Sequence, residues 1–378
     1  MGIKSLNLSP MHTDILIIGQ GICGTFLSRE LERAGIPFLV LDESRPYTAS
    51  KAAAGLINPV TGRRIVKTWM IDELLPFVQE TYGTLEKEWG VTVIQPAGVI
   101  DFFPTPQMRL AFLKRLEEDP QYLQLPEDEH SWDTLFRYEL GYGMIHPCWL
   151  VDLPGLLAAA RKRMLVQGVL REERFDPGAL VVEKEGRRIQ YKDISAGRVI
   201  FCDGMEGFTN PYFSLLPFAP NKGEALVVEI PDLPDRVESS GLPDRQTTIF
   251  KKGISLAPWK EACKKGLYWV GSSYEWSFTD NGPTEAFRKR TESILQDWLK
   301  IPFRTVEHIA SVRPATLERR PFVGFHPSYP AIGILNGMGT KGCSLAPWFA
   351  RQLVQHITEG TAIRPEADIK RFRRVLER

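Results

Sequence analysis

The sequence predicts an α/β fold of two domains, one with a parallel sheet and helices, the other of the α+β type with a mainly antiparallel sheet. Three observations lead to this prediction. Residues 13–43 read as strand, glycine-rich loop, helix and strand, and residues 221–298 read as several short strands followed by a helix. The chain has 378 residues, 43% of them hydrophobic, which is too long for one small core.

The N-terminal unit has the pattern of a dinucleotide-binding motif, which spans roughly 30 residues. Gly19, Gly21 and Gly24 follow an apolar run in the spacing G-x-G-x-x-G, and Asp42 ends the second strand. Gly19 allows a tight turn, Gly21 lets the backbone approach a pyrophosphate, and Gly24 lets the helix pack on the strand. Asp42 can accept hydrogen bonds from ribose hydroxyls. The motif alone does not separate a flavin from a nicotinamide dinucleotide.

The composition excludes several classes of protein. The net charge of +1 does not call for nucleic acid or an anionic membrane as partner. Five cysteines are scattered without a CxxC or Cys/His cluster, so neither a disulfide framework nor a metal site is predicted. The simplest compartment is a reducing cytoplasm. No signal peptide and no apolar run of membrane-spanning length is found.

Residues 44–70 follow the acidic strand end and are rich in small side chains between Ala49 and Gly55. One interpretation is a loop with a short helix. The other is backbone lying against a flat ring, with Ser50 or Lys51 contacting phosphate. The basic turn at Arg63, Arg64 and Lys67 is either solvated or a wall for an anionic substrate.

The following segments predict the scaffold. Helices are expected over 72–89 and 153–166, the second with Arg161 on a solvated face. Residues 91–103 read as strands interrupted at 96–98. In the β-rich middle, Tyr274 and Trp276 are expected in an aromatic core.

Three stretches together resemble one enzyme superfamily. These are GQGICG with ASKAAAGLINP after it, SVRPATLERRPFVGFHP (311–327), and ILNGMGTKGCSLAP (334–347). They resemble the FAD-dependent D-amino-acid oxidase superfamily, which includes glycine oxidase, sarcosine oxidase and the FAD domain of the bifunctional enzyme that modifies the tRNA wobble uridine. The second stretch departs from the pattern, because Ser311 replaces a glycine and Glu318 or a neighbour replaces the usual acid.

The resemblance implies a Rossmann-like FAD-binding domain at 1–85, 146–215 and 305–378, and a substrate domain at 86–145 and 216–304. It implies FAD, held non-covalently because no counterpart of the flavin-linking cysteine follows Arg313-Pro314. It assigns the following residues to the cofactor: Gly19, Gln20, Gly21, Ile22, Cys23, Gly24, Asp42, Glu43, Ser50, Lys51, Ala54, Gly55, Leu56, Gly204, Gly339, Thr340, Lys341 and Gly342.

The activity that the resemblance implies is oxidation of a C–N bond by hydride transfer from an amine or amino acid to flavin, with an imine as product. Arg313 is the first candidate for substrate binding, since relatives use the arginine of this Arg-Pro motif for a carboxylate. Its alternative role is to brace the loop. Lys341 is the second candidate. The Thr340-Lys341-Gly342 loop is more similar to the matching loop of the tRNA-modifying enzyme than to that of glycine oxidase.

Three alternatives stay open at the level of sequence. They are a flavin-dependent enzyme of the tRNA-wobble type, a non-catalytic or electron-transfer flavoprotein, and a nicotinamide-dependent dehydrogenase. The expected partner is a small amine or amino acid, with nucleic acid and membrane disfavoured. Substrate, electron acceptor and oligomeric state do not follow from the sequence.

Overall fold

A computed structural model describes residues 11–183, 188–235, 246–259 and 266–378. Its strands, in chain order, are β1 Met11–Ile18, β2 Phe38–Leu41, β3 Leu56–Ile57, β4 Val60–Thr61, β5 Val66–Lys67, β6 Ile94–Phe102, β7 Leu123–Gln124, β8 Tyr142–Val151, β9 Leu170–Arg171, β10 Leu180–Val182, β11 Ile189–Tyr191, β12 Ile194–Phe201, β13 Asn221–Glu229, β14 Thr247–Lys252, β15 Ile254–Pro258, β16 Leu267–Gly271, β17 Arg304–Arg313, β18 Phe322–Phe325 and β19 Ile332–Asn336. Its α-helices are α1 Ile22–Arg33, α2 Ala49–Ala52, α3 Ile71–Trp89, α4 Pro106–Glu118, α5 Leu153–Val166, α6 Glu285–Trp298, α7 Gly342–Glu359 and α8 Arg373–Leu376.

The chain divides into two compact units. The first comprises Met1–Lys51, Leu157–Pro220 and Arg313–Arg378, and the second comprises Ala52–Leu156 and Asn221–Val312. The predicted boundaries differ from this division: they assign 52–85, 146–156 and 305–312 to the first domain and 216–220 to the second. Strand β3 pairs with the end of β8, and β8 also pairs with β6, so both strands belong to the sheet of the second unit. The assignment of FAD to one unit and substrate to the other stays a prediction.

The first unit contains the parallel sheet. Strands β19, β12, β1, β2 and β9 are parallel neighbours in that order, and β10, β11 and β18 add antiparallel pairs. Helix α1 buries Phe26, Leu27 and Leu31 completely, which explains why an apolar stripe follows the glycine loop. The Rossmann-like prediction for this part is confirmed.

The second unit contains a nine-stranded sheet in the order β17-β13-β16-β15-β14-β6-β8-β3, with β7 paired to β8. Its pairs are mainly antiparallel, and β14 with β6 is parallel. One face carries an aromatic core that includes Phe102, Phe136 and Phe250 and is covered by Phe287 and Trp298 of α6. The α+β prediction is therefore confirmed.

Of the predictions for single segments, some are confirmed and others are wrong. Helices α3 and α5 lie where they were expected. Thr284 caps α6, its hydroxyl accepting from Phe287 N. The expected break at 96–98 is wrong, because β6 runs through it with a register irregularity between Ala97 and Val99. The aromatic core expected for Tyr274 and Trp276 is also wrong, since they are 55% and 58% exposed.

Candidate functional site

The candidate site lies at one edge of the parallel sheet in the first unit. Four parallel strands, β1, β2, β12 and β19, end at this edge. They are followed by the glycine loop, by Asp42, by residues 202–204 and by residues 337–341. Ligands of open α/β sheets bind outside the carboxyl ends of the strands, so the fold brings these four predicted segments together where a ligand is expected.

The glycines of the loop are required by close backbone approaches. Gly19 has φ +100°, and a Cβ placed on it would lie 2.6 Å from the carbonyl oxygen of Cys202. A Cβ on Gly24 would lie 1.9 Å from the carbonyl oxygen of Gly19. Both contacts are shorter than side chains tolerate, so α1 starts directly against the strand end. This is the arrangement that the motif predicted.

The start of α1 is open for an anion. Gly21 is the N-cap residue and makes no side-chain cap hydrogen bond. Ser50 lies beside it: its Oγ accepts from Ile22 N at 3.1 Å and lies 3.3 Å from the place of a Gly21 Cβ. A helix N-terminus with free N–H groups suits a phosphate. Ser50 therefore lies next to the glycine loop, and its contact with phosphate stays a prediction.

Asp42 is held in place by the protein itself. Its Oδ2 accepts from Gln20 N at 2.9 Å, and its Oδ1 accepts from Ser44 N at 2.8 Å and from Arg161 Nη1 at 2.7 Å. A carboxylate offers about four acceptor positions. Three are used, so Oδ2 retains one for a ribose hydroxyl. Glu43, also predicted at the cofactor, forms an ion pair with Arg45.

Arg161 is a residue that the sequence interpretation missed. Its side chain is only 15% exposed, not solvated as expected, and it bridges Asp42 and Glu172. It also donates to Gln20 Oε1 at 3.2 Å, and so connects α5 to the glycine loop. The pattern of α5 carries no sign of this contact, because its partners lie 119 and 141 residues away in the chain.

Lys51, predicted to contact phosphate, makes a contact within the protein. Its Nζ donates to the carbonyl oxygen of Arg45 at 2.5 Å, and burial lowers its pKa. Ala54, Gly55 and Leu56 belong to the second unit, where a Cβ on Gly55 would lie 1.9 Å from the carbonyl oxygen of Val151. This close contact between strands is enough to explain why residue 55 is a glycine. The assignment of the three residues to the cofactor stays a prediction.

The end of β12 carries a partly buried acid. Asp203 Oδ1 accepts from Asn336 Nδ2 at 2.9 Å and Oδ2 accepts from Asn210 Nδ2 at 3.1 Å. Burial raises the pKa of Asp203 from 3.8 to about 7. Asn336 also donates to the carbonyl oxygen of Gly204 at 2.8 Å. The network joins the ends of β12 and β19, which fixes the predicted Gly204 at this edge.

A second helix begins beside the first. Lys341 is the N-cap residue of helix α7, and its side chain makes no cap hydrogen bond. A Cβ placed on Gly342 would lie 3.3 Å from Ile22 Cγ2 of α1. The first turns of α1 and α7 are therefore neighbours at one edge. Burial raises the pKa of the Cys23 and Cys343 thiols to about 12, so both stay neutral near pH 7.

The two predicted substrate residues lie on adjoining loops. Arg313 ends β17, and the next residue, Pro314, accepts a backbone hydrogen bond from Gly339 N at 3.3 Å. The loop from Gly339 to Lys341 leads directly into α7. The structure thus brings together two motifs that the sequence treated separately. Of the basic turn in the second unit, Arg63 and Arg64 are exposed, whereas Lys67 pairs with Asp72 at 2.8 Å.

Residues 14–356 match the family described as DAO, FAD dependent oxidoreductase. The chain belongs to this family. The fold is similar to that of iminodiacetate oxidase from Chelativorans sp. BNC1, with a TM-score of 0.72, 21% identity, and 95% and 98% of the two chains covered. It is also similar to glycine oxidase from Geobacillus kaustophilus, with a TM-score of 0.74, 19% identity, and 96% and 98% covered.

A third similar structure is L-proline dehydrogenase from P. horikoshii, with a TM-score of 0.72, 16% identity, and 97% and 99% covered. Family membership implies FAD, and the residues at the sheet edge fit it. The glycine cradle suits a pyrophosphate, Asp42 retains an acceptor position, and two helix starts face one edge. Among the described residues, no helix is long and apolar enough to cross a membrane.

Proposed function

We propose that the protein oxidises the C–N bond of a small amine or amino acid with non-covalently bound FAD. The observation that carries this proposal is the pair of adjoining helix starts, α1 at the glycine loop and α7 at the Arg313 and Gly339 loops. The first suits the pyrophosphate of a dinucleotide. The N-terminus of α7 is the positive end of a helix dipole, and it lies next to the residues predicted to bind substrate.

Each part of the edge has a proposed task. The loop from Gly19 to Gly24 and Ser50 hold the pyrophosphate, and Asp42 accepts from ribose. FAD supplies the hydride acceptor. The N-terminus of α7 stabilises negative charge on the reduced ring, an effect of about 0.3–1 kcal/mol at a surface and more when buried. Arg313 binds a substrate carboxylate, for which a guanidinium provides paired donors, and Lys341 lies on the adjoining loop.

Two further observations support this proposal, one on the substrate and one on the cofactor. The printed names of the similar structures are those of an iminodiacetate oxidase, a glycine oxidase and a proline dehydrogenase. The buried, neutral Cys343 argues for non-covalent FAD, because a thiol of such high pKa is a poor nucleophile. A cytoplasmic location is part of the proposal and rests on the scattered cysteines.

An anaerobic flavin-bleaching screen tests the proposal. The purified protein is mixed with D- and L-amino acids, N-methylated amino acids and simple amines, and the flavin absorbance near ~450 nm is followed. Bleaching by at least one of these compounds, with formation of the corresponding oxo product, is expected. A flavin that no amine reduces, but that a protein electron donor reduces, would support the electron-transfer alternative instead.

A further inference from the structure

Residues 43–51 of the first unit run from the end of β2 back to the start of α1. Their far end is fixed at the glycine loop, where Ser50 Oγ accepts from Ile22 N at 3.1 Å. Lys51 closes the segment on itself, because its Nζ donates to the carbonyl oxygen of Arg45 at 2.5 Å. This segment is called the strap below. The strap begins and ends at parts of the edge that are proposed to hold the dinucleotide.

One side chain of the strap reaches the end of another strand. Arg45 Nη1 donates to Glu206 Oε1 at 2.5 Å, and Arg45 Nε lies 2.5 Å from Glu43 Oε1. Glu206 belongs to the short 3₁₀ helix Gly204–Thr209, which follows β12. Arg45 and Glu206 are 161 residues apart in the chain. The pair therefore joins the segment after β2 to the segment after β12.

The strand order determines where this connection runs. Strands β2 and β12 are the two parallel neighbours of β1. Neighbouring strands are about 4.8 Å apart, so the segments after β2 and β12 flank the end of β1 on its two sides. The glycine loop, from Gly19 to Gly24, follows β1. An ion pair that joins the two segments therefore spans the edge at the glycine loop.

The connection lies at the surface of the unit. The side chain of Arg45 is 41% exposed and that of Glu206 is 52% exposed. The side chains of Arg161 and Asp42, which pair at the proposed ribose position, are only 15% and 21% exposed. Exposed ion pairs contribute little to the stability of a fold and are weakened by salt. The pair of Arg45 and Glu206 can therefore open and close while the edge stays folded.

Together with the strand pairing, these contacts surround the glycine loop. On one side, Ser50 holds the strap to α1. On the other side, Arg45 holds the strap to Glu206 and so to β12, which pairs with β1. The Ser50 contact is made to the helix backbone, whereas the Arg45 contact joins two exposed side chains. The ion pair is therefore the contact that opens more easily when a ligand enters or leaves.

We propose that Arg45 and Glu206 form an ionic latch that slows the release of FAD from the edge. Arg45 acts as a positioning residue: while it is paired with Glu206, the strap stays closed beside the proposed ribose and phosphate positions. The inference rests on the proposed function for the identity of the cofactor. It adds control over how long the cofactor is retained.

Release of FAD from the diluted holoenzyme tests the latch directly. The protein is diluted until released FAD no longer rebinds, and the flavin that passes an ultrafiltration membrane is measured at timed intervals. Arg45→Met and Glu206→Met are each expected to release FAD about two- to fivefold faster than the wild type, which is the effect of one exposed ion pair. Release at the wild-type rate in either variant would overturn the proposal.

The double variant Arg45→Met with Glu206→Met decides whether the two side chains act as a pair. If they do, the double variant releases FAD no faster than Arg45→Met, because the first substitution has already opened the latch. Effects that multiply in the double variant would show two independent causes and would overturn the proposal.

High salt separates the latch from other changes in the strap. At about 1 M NaCl the Debye length is about 3 Å, so the wild type and Arg45→Met are expected to release FAD at the same rate. A difference in rate that persists at this salt concentration would show that the substitution does not act through the ion pair, and would overturn the proposal.

Arg174→Met is the matched control. Arg174 Nε lies 3.9 Å from Glu43 Oε2 at the start of the strap, and its side chain is 75% exposed. This pair does not involve the segment after β12, so its loss should leave the release rate of the wild type unchanged. A release rate as high as that of Arg45→Met would show that any charge lost beside the strap speeds release, and would overturn the proposal.

The release rates and the flavin-bleaching screen can fail separately. If no amine bleaches the flavin, the proposed function fails, while the release rates still decide the latch. If amines bleach the flavin and Arg45→Met releases FAD at the wild-type rate, the latch fails and the function stands.

Discussion

The edge of the parallel sheet and the ion pair of Asp101 and Lys251 in the antiparallel sheet are built in different ways. The edge uses the backbone: glycines that permit contacts too short for a Cβ, and two helix starts. The ion pair joins side chains of two strands, β6 and β14, and its two residues are separated by 150 residues in the chain. Backbone sites leave a local pattern in the sequence, whereas side-chain sites depend on register between distant strands.

The largest effect is expected where the backbone contact is closest. Gly24→Ala places a Cβ 1.9 Å from the carbonyl oxygen of Gly19. Overpacking of this kind costs about 1–3 kcal/mol, and the displaced loop should also lose FAD. Thermal unfolding and flavin content of the purified protein measure both effects.

The matched control is Gly83→Ala. Gly83 is also a helical glycine, but nothing lies within 4 Å of its added Cβ. Alanine there should stabilise the protein by about 0.5–1 kcal/mol, because glycine is the weaker helix former. If both variants kept full flavin content and stability, the backbone description of the edge would be wrong.

The second-largest effect is expected at Arg161, whose side chain contacts Asp42 at the edge of the parallel sheet. Arg161→Met removes a charged hydrogen bond to Asp42 and leaves that carboxylate without its cation. A loss of about 1.5–3 kcal/mol per charged hydrogen bond predicts FAD binding at least tenfold weaker. Fluorescence titration of the apoprotein with FAD measures it.

Arg163→Met is the control for this change. Arg163 lies on the same helix, is 39% exposed, and pairs with Glu32 instead of the loop. Its loss should change FAD affinity little, because exposed ion pairs contribute about 0–1 kcal/mol. Equal FAD affinities in Arg161→Met and wild type would remove Arg161 from the cofactor site.

Arg313→Ala tests the predicted contact between Arg313 and a substrate carboxylate. The expected result is an increase of roughly tenfold or more in KM for an amino acid and a smaller change for the amine without a carboxylate. Steady-state kinetics on sarcosine and dimethylamine give both values. A similar loss for the two compounds would favour the loop-bracing role, and Arg313 would then not be a ligand.

The smallest effect is expected in the pH dependence of stability. The pKa of Asp203 is about 7 in the folded protein, above the value of about 3.9 in the unfolded chain. The folded state therefore holds a proton that the unfolded state releases between pH 4 and 7. Stability attributable to this group is greatest at low pH and declines as pH rises through that window.

Asp203→Asn removes the titration, so unfolding temperatures should depend less on pH between 4 and 7 than those of the wild type. Parallel pH profiles for the two proteins would contradict a raised pKa for Asp203. The amide also replaces one oxygen that accepts from Asn336 or Asn210, and the absolute stability is therefore not the criterion.

The sequence was informative where local rules decide the structure. The glycine spacing predicted Gly19 and Gly24 at close contacts, and helical periodicity predicted α3 and α5. It was uninformative where partners are distant. Arg161 looked solvated because Asp42 lies 119 residues away. The pairing of β3 with β8 has no local signature in the sequence either.

The central claim is that the edge holds non-covalent FAD, and release of the cofactor tests it most directly. The protein is denatured and the precipitate removed, and the supernatant is analysed for flavin by absorbance near ~450 nm and by chromatography. The prediction is one FAD per chain in the supernatant of the wild type and much less from Gly24→Ala. A colourless supernatant after reconstitution of the wild type with FAD, or flavin that remains with the precipitated chain, would contradict it.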